Sequence, residues 1–187
     1  MVQSLIAIFS LSVVAATTHC ADASALPTGP YCPSFPVTPE QQRAIFDRFT
    51  DLFLGAGKFY TAFTQHVAET CIQHNPYILS GRQNALDLFG NQDTPDPVAA
   101  VFPVNIITQS LDTKTQIGMF HYYFTPAPGT QPSVTVDIIR MNGSCIEEHW
   151  DVSMDRPANA TNPLAMFTPK KYPLSLGVSV RPVIQMK

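Results

Sequence analysis

A chain of 187 residues is long enough for one domain with a sizeable core. Charged residues make up only 13% and the net charge is −3, so there is no basic surface to grip phosphates, which argues against nucleic-acid binding. The 17 prolines exceed the ordinary share of about 5% and point to rigid loops.

Residues 1–23 read as an export signal. Leu5 to Ala16 is an apolar run of signal-peptide length, too short to span a bilayer, and small residues follow it. Cleavage would fall at Ala21-Asp22-Ala23 or Ala23-Ser24-Ala25. No Lys or Arg precedes Arg43, so a buried N-terminal segment is the competing reading. No later stretch is long and apolar enough to cross a membrane. The triplets Asn142-Gly143-Ser144 and Asn159-Ala160-Thr161 are glycosylation acceptors consistent with a secreted, extracellular protein. Cleavage would remove Cys20 and leave Cys32, Cys71 and Cys145, hence one disulfide and one thiol. Cys71 with Cys145 across a sheet, and Cys32 with Cys71, are the two pairings considered.

Residues 24–37 form a Pro-rich arm. Thr38, Pro39 and Gln41 give a helix start with a capping box, and Ile45, Phe46, Phe49, Leu52 and Phe53 follow on one apolar face. Gly55 and Gly57 break that helix. A second is predicted over about 58–69, and an extended segment over 70–75 ends at Pro76. Ser80 and Gln83 predict another capping box, opening a short helix through Phe89. Residues 90–103 read as loop. Four strands are predicted over 104–110, 116–124, 133–141 and 144–153, the last two joined by an Asn-Gly turn that favours a hairpin. Residues 154–187 read as a Pro-rich tail. Helices first and an antiparallel meander after them predict an α+β fold.

Asp137 falls mid-strand among apolar neighbours. A carboxylate there must be paired, hydrated or protonated, and burial would tune it for general acid–base work. The competing reading is a carboxylate on a solvated face. His121, among aromatics in the preceding strand, is either a structural histidine or the partner of Asp137. In the last strand, strict alternation puts Cys145, Glu147, His149 and Asp151 on one face and Ile146, Glu148, Trp150 and Val152 on the other. Glu147 with His149 is a weak metal pattern that would need a third ligand.

The run Val136-Asp137-Ile138-Ile139-Arg140-Met141-Asn142-Gly143-Ser144-Cys145-Ile146-Glu147-Glu148-His149-Trp150-Asp151 resembles the hallmark of the SnoaL-like polyketide cyclase family. Upstream, Ile72-Gln73-His74-Asn75-Pro76, Gly81-Arg82 and Leu88-Phe89 resemble that family's first half. The resemblance covers residues 38–153. It implies a cone-shaped fold of the nuclear-transport-factor-like superfamily, with N-terminal helices on a strongly curved antiparallel sheet around an apolar pocket. It further implies aldol cyclisation, isomerisation or dehydration of an apolar carbonyl substrate by Asp137 helped by His121, with no cofactor and no metal. His74, Asn75, His149, Trp150 and Tyr123 would line or support the pocket. A homodimer through the outer face of the sheet is the partner it suggests. The sequence departs from the pattern at the turn, where Ser144-Cys145 replaces the family's Lys and a sequon occupies the turn. Export also sits poorly with a biosynthetic cyclase. A secreted non-catalytic binder of a small hydrophobic ligand, or a scaffold-only interaction protein, are therefore the alternative functions.

Overall fold

The computed structural model describes residues 25–93, 104–125 and 129–162. Residues 1–24 with Cys20, where the export signal is expected, most of the 90–103 segment and residues from 163 onward lie outside them. Helix α1 (Pro39–Thr50) runs into a π-helical turn (Asp51–Gly55), followed by α2 (Phe59–His66), strand β1 (Val67–Gln73) and α3 (Arg82–Phe89). Strands β2 (Asn105–Asp112), β3 (Ile117–Phe124), β4 (Ser133–Asn142) and β5 (Cys145–Asp155) complete the fold. The sheet order is β1-β5-β4-β3-β2. The fold is α+β, as the order of elements predicts. One feature differs from a pure meander: β1 joins the edge parallel to β5. Among the described residues no helix is long and apolar enough to cross a membrane.

α1 starts as its sequence dictates. The Gln41 backbone N–H donates to Thr38 Oγ1 and the Thr38 N–H donates to Gln41 Oε1, with Pro39 in the first turn. Its face of Ile45, Phe46 and Phe49, continued by Leu52 and Phe53, is buried against the sheet. Burial of each such side chain is worth about 1.5–3 kcal/mol, so this stripe is what seats the helices. β3 comes close beneath it: a Cβ on Gly118 would lie 2.5 Å from the Phe46 ring.

Two local predictions fail for tertiary reasons. Helix α2 stops at His66 instead of continuing to Glu69, because Val67 already pairs with Ile146 of β5. The capping box at α3 does not form. Gly81, at φ 105°, precedes the helix, Ser80 Oγ accepts from the Gln73 N–H, and the Gln83 amide donates to Asp87 and Asn91.

The Pro-rich arm is strapped over the β4–β5 turn. Ser144 Oγ donates to Tyr31 O and accepts from the Phe35 N–H, and the Ser144 N–H donates to Phe35 O. Gly143 sits at φ 53°, and a Cβ there would lie 2.4 Å from Phe35 O, so no other residue fits. Cys32 bonds to Cys145 with Cα atoms 5.0 Å apart. Neither pairing considered from the sequence is the one found. The arm brings Cys32 beside the first residue of β5, whereas Cys71 remains a buried free thiol.

Candidate active site

The sheet has an inner face, towards the helices, and an outer one. Its strand register decides which residues meet on each. On β4, Thr135, Asp137, Ile139 and Met141 are buried and face inward, while Val136, Ile138 and Arg140 are less covered. Asp137 stands opposite Phe120 on β3 and Asp151 on β5. Ile139 stands opposite His149. The β4–β5 register slips after Arg140, which pairs with Glu148 while Met141 pairs with Ile146. Glu147 is the extra residue of this bulge, so the strict alternation expected along β5 breaks there. Ile146, His149 and Asp151 consequently share the inner face.

These residues close one end of a cavity of about 170 Å³. Phe49, Phe53, Phe63, Phe120 and Tyr122 form much of its wall, and Tyr77, Ile78, Leu88 and Phe89 form its rim. The polar groups are Gln73, Asn75, Asp137, His149 and Asp151.

They are connected in a definite order. His149 Nδ1 lies 2.7 Å from Gln73 Oε1, and His149 Nε2 lies 2.6 Å from Asp137 Oδ1. With Gln73 Oε1 as acceptor, Nδ1 carries a hydrogen. The short contact between Nε2 and Oδ1 is a hydrogen bond whose proton sits on one atom or the other. Either way the pair holds one proton that can be transferred. The second oxygen, Asp137 Oδ2, is buried and makes no hydrogen bond of good geometry among the described residues, although the Tyr122 hydroxyl lies close enough to the carboxyl to interact with it. Asp137 is only 3% exposed. Burial raises its carboxyl above the ordinary value, a rise that the His149 hydrogen bond and charge, and then the Tyr122 hydroxyl, partly oppose. The phenol of Tyr122, beside Asp137 and largely buried, is raised for the same reason and by the carboxylate's charge, so it stays a hydrogen-bond donor. Asp151 accepts from the Asn75 side-chain amide, and Asn75 Oδ1 in turn accepts from the Tyr77 N–H.

Several predicted site residues lie elsewhere. His121 pairs with Val136, on the opposite face from Asp137, so the expected His121–Asp137 contact does not exist. Burial alone lowers the His121 pKa. Tyr123 likewise points outward, opposite Val134, and its neighbour Tyr122 takes the inward position. Trp150 stands opposite Ile138 on the outer face, and the His74 ring stacks on it at 4.8 Å with planes 2° apart. His74 Nε2 meets Glu148 Oε1 at 2.8 Å. Glu147 bonds to Arg140 and Asn142, away from His149, so that proposed metal pair is not formed. Instead, among the described residues, Asp137, His149 and Asp151 offer ligand atoms within 4.8 Å of one another. Asn142 and Asn159 are both exposed, while Ser144 of the first sequon is buried under the arm. Gln73 and Tyr122 had no role in the sequence reading. Period-two alternation finds Tyr122 only once the loop between β3 and β4 fixes their register.

No family model matches the sequence, and no curated protein matches it significantly. Solved structures do. TsrD from Streptomyces laurentii is 15% identical with a TM-score of 0.45, over 59% of this chain and 89% of that one. IdmH from Streptomyces antibioticus, a candidate polyketide cyclase, is 14% identical with a TM-score of 0.42, over 60% of this chain and 91% of its own. A third, a candidate polyketide cyclase from Acidithiobacillus ferrooxidans, is 14% identical with a TM-score of 0.39 over 60% of this chain and 87% of that one.

Proposed function

We propose that this protein is an acid–base catalyst acting on an apolar carbonyl compound, with Asp137 and His149 as the proton-transfer pair. The observation that carries the reading is the Asp137 carboxyl: buried, bonded through Oδ1 to His149, with no hydrogen bond of good geometry to Oδ2 at the cavity. A core carboxyl without a well-formed second hydrogen bond costs stability. It makes chemical sense where a substrate supplies the missing contact.

The chemistry follows from the groups present. Asp137 removes a proton from carbon adjacent to a carbonyl, and the carbonyl oxygen gains negative charge. The Tyr122 hydroxyl, which lies against the Asp137 carboxyl, would turn to donate to that oxygen. His149 holds the carboxyl in place and exchanges its proton, and Gln73 fixes the imidazole orientation. The apolar walls keep water from competing and hold the reacting carbon against the base. Aldol cyclisation, isomerisation and dehydration all begin with this enolisation.

Deuterium exchange tests the reading without knowledge of the natural substrate. Small ketones in D₂O should exchange their α-hydrogens faster with the protein, as read by proton NMR, and Asp137→Asn should abolish the gain. Exchange unchanged by Asp137→Asn would remove the catalytic reading. Ligand binding with no exchange would instead support a non-catalytic carrier. The Cys32–Cys145 bond fits an oxidising compartment, which supports export as the setting.

A further inference from the structure

We propose that the cavity selects an uncharged, single-ring carbonyl compound and rejects larger fused-ring ketones. The inference rests on the acid–base reading for the carbonyl and on the cavity alone for size and charge.

Size comes first. The cavity holds about 170 Å³. An apolar cavity of roughly 150 Å³ accommodates benzene, so the space here suits roughly six to ten non-hydrogen atoms. Drug-sized ligands occupy pockets of about 300–1,000 Å³. The walls are also aromatic. Phe49 and Phe53 stack at 5.5 Å, and Phe120 and Phe63 meet Phe53 edge-on at 6.3 and 5.5 Å. Such a wall packs a planar ring well and leaves little slack to expand. Phe89 closes the rim: it stacks on Phe59 and Phe63 and meets Phe53 edge-on at 5.7 Å.

Charge comes second. Among the described residues no Lys or Arg lines the cavity, and two carboxyls do. An anionic ligand would be buried beside Asp137 and Asp151 with no counter-charge. An ammonium would lose its hydration among the phenyl walls, with only Asp151, which already accepts from Asn75, to offset that loss. A neutral carbonyl oxygen can use the Tyr122 hydroxyl and the Asp137–His149 proton without bringing a charge of its own into the apolar space.

The test is direct binding to the full chain by titration calorimetry, using acetophenone, benzoate, phenethylammonium, 2-acetylnaphthalene and 2-acetylanthracene. We expect acetophenone to bind at least tenfold more tightly than any of the other four. Phe89→Ala, at a partly exposed rim position, should improve 2-acetylnaphthalene relative to acetophenone by tenfold or more. Equal or tighter binding of 2-acetylanthracene would overturn the size limit. Preference for benzoate or phenethylammonium would overturn the charge argument, and no binding of acetophenone would overturn both. If Phe89→Ala does not fold, the wild-type series alone decides. Selective acetophenone binding without deuterium exchange would leave this inference standing and remove the acid–base reading. Exchange of the larger ketones without a small-ring preference would do the reverse.

Discussion

On the inner face of β5, His149 reaches Asp137 at the end of an apolar cavity. One residue along the same strand, Glu148 and Trp150 face the other way and hold His74, which is exposed. Both faces thus pair a histidine with a carboxylate at 2.6–2.8 Å. They differ in what surrounds the pair. Glu148 also accepts from Arg140, and its pKa is lowered by the His74 and Arg140 hydrogen bonds. Asp137 has no cation of that kind, and its pKa is raised by burial. The same residue types give an ordinary surface ion pair outside and a poised acid–base group inside. Dielectric and partner supply, more than residue identity, make the difference.

Four variants break or sharpen this contrast. Asp137→Asn removes the inner base while keeping its shape, and the deuterium-exchange rate should fall by about 10²–10⁴-fold. A fall of less than twofold would place the chemistry elsewhere. Cys32→Ser with Cys145→Ser frees the arm from the turn at one end of the sheet. Stability should drop by about 2–5 kcal/mol in urea unfolding, while exchange per folded molecule changes far less than in Asp137→Asn.

A third histidine extends the inner side. His66 is fully buried between Tyr31 and Phe49, with neither ring nitrogen hydrogen-bonded. Burial, and secondarily the Arg48 charge, lower its pKa to about 3. The unfolded value is near 6.5, so the unfolded chain takes up the proton first. Stability from keeping His66 neutral is therefore fully present above about pH 6.5 and is lost as pH falls towards 3. His66→Phe should flatten that slope, with wild type losing on the order of a few kcal/mol more than the variant over this range. Parallel slopes in denaturation at a series of pH values would contradict the assignment. The smallest effect belongs to the outer face. His74→Ala removes a stacked, exposed hydrogen-bond partner of Glu148 and should cost about 1 kcal/mol or less, with exchange unaltered. A large loss of exchange there would erase the distinction between the faces.

Much of this arrangement was legible in the sequence, and the failures have specific causes. The four strands β2 to β5, the α1 cap and the Asn-Gly turn follow from local pattern and turn chemistry. Asp137 stood out because a charged residue interrupts an apolar strand. Its partner was misread because choosing between His121 and His149 requires two registers. The β3–β4 register places Phe120, not His121, opposite Asp137. The bulge at Glu147 resets the facing of β5 and brings Ile146 to the inner face with His149. Bulges and parallel edge strands depend on distant pairing, and alternation within one strand cannot reveal them. The disulfide was missed for a similar reason: the path of the arm over the β4–β5 turn is fixed by Ser144, Tyr31 and Phe35 together.

The most direct test of the account is the pH dependence of deuterium exchange in wild type and His149→Gln. A general base is lost as pH falls through its pKa, so the acid limb of the rate reports Asp137. The account predicts a wild-type limb above the ordinary carboxylate value of about 3.9, because burial raises it. It also predicts a further upward move in His149→Gln, because the hydrogen bond and charge that favour the carboxylate are gone. A limb at the ordinary value, or one that ignores the loss of His149, would contradict the claim that this buried pair shares the catalytic proton.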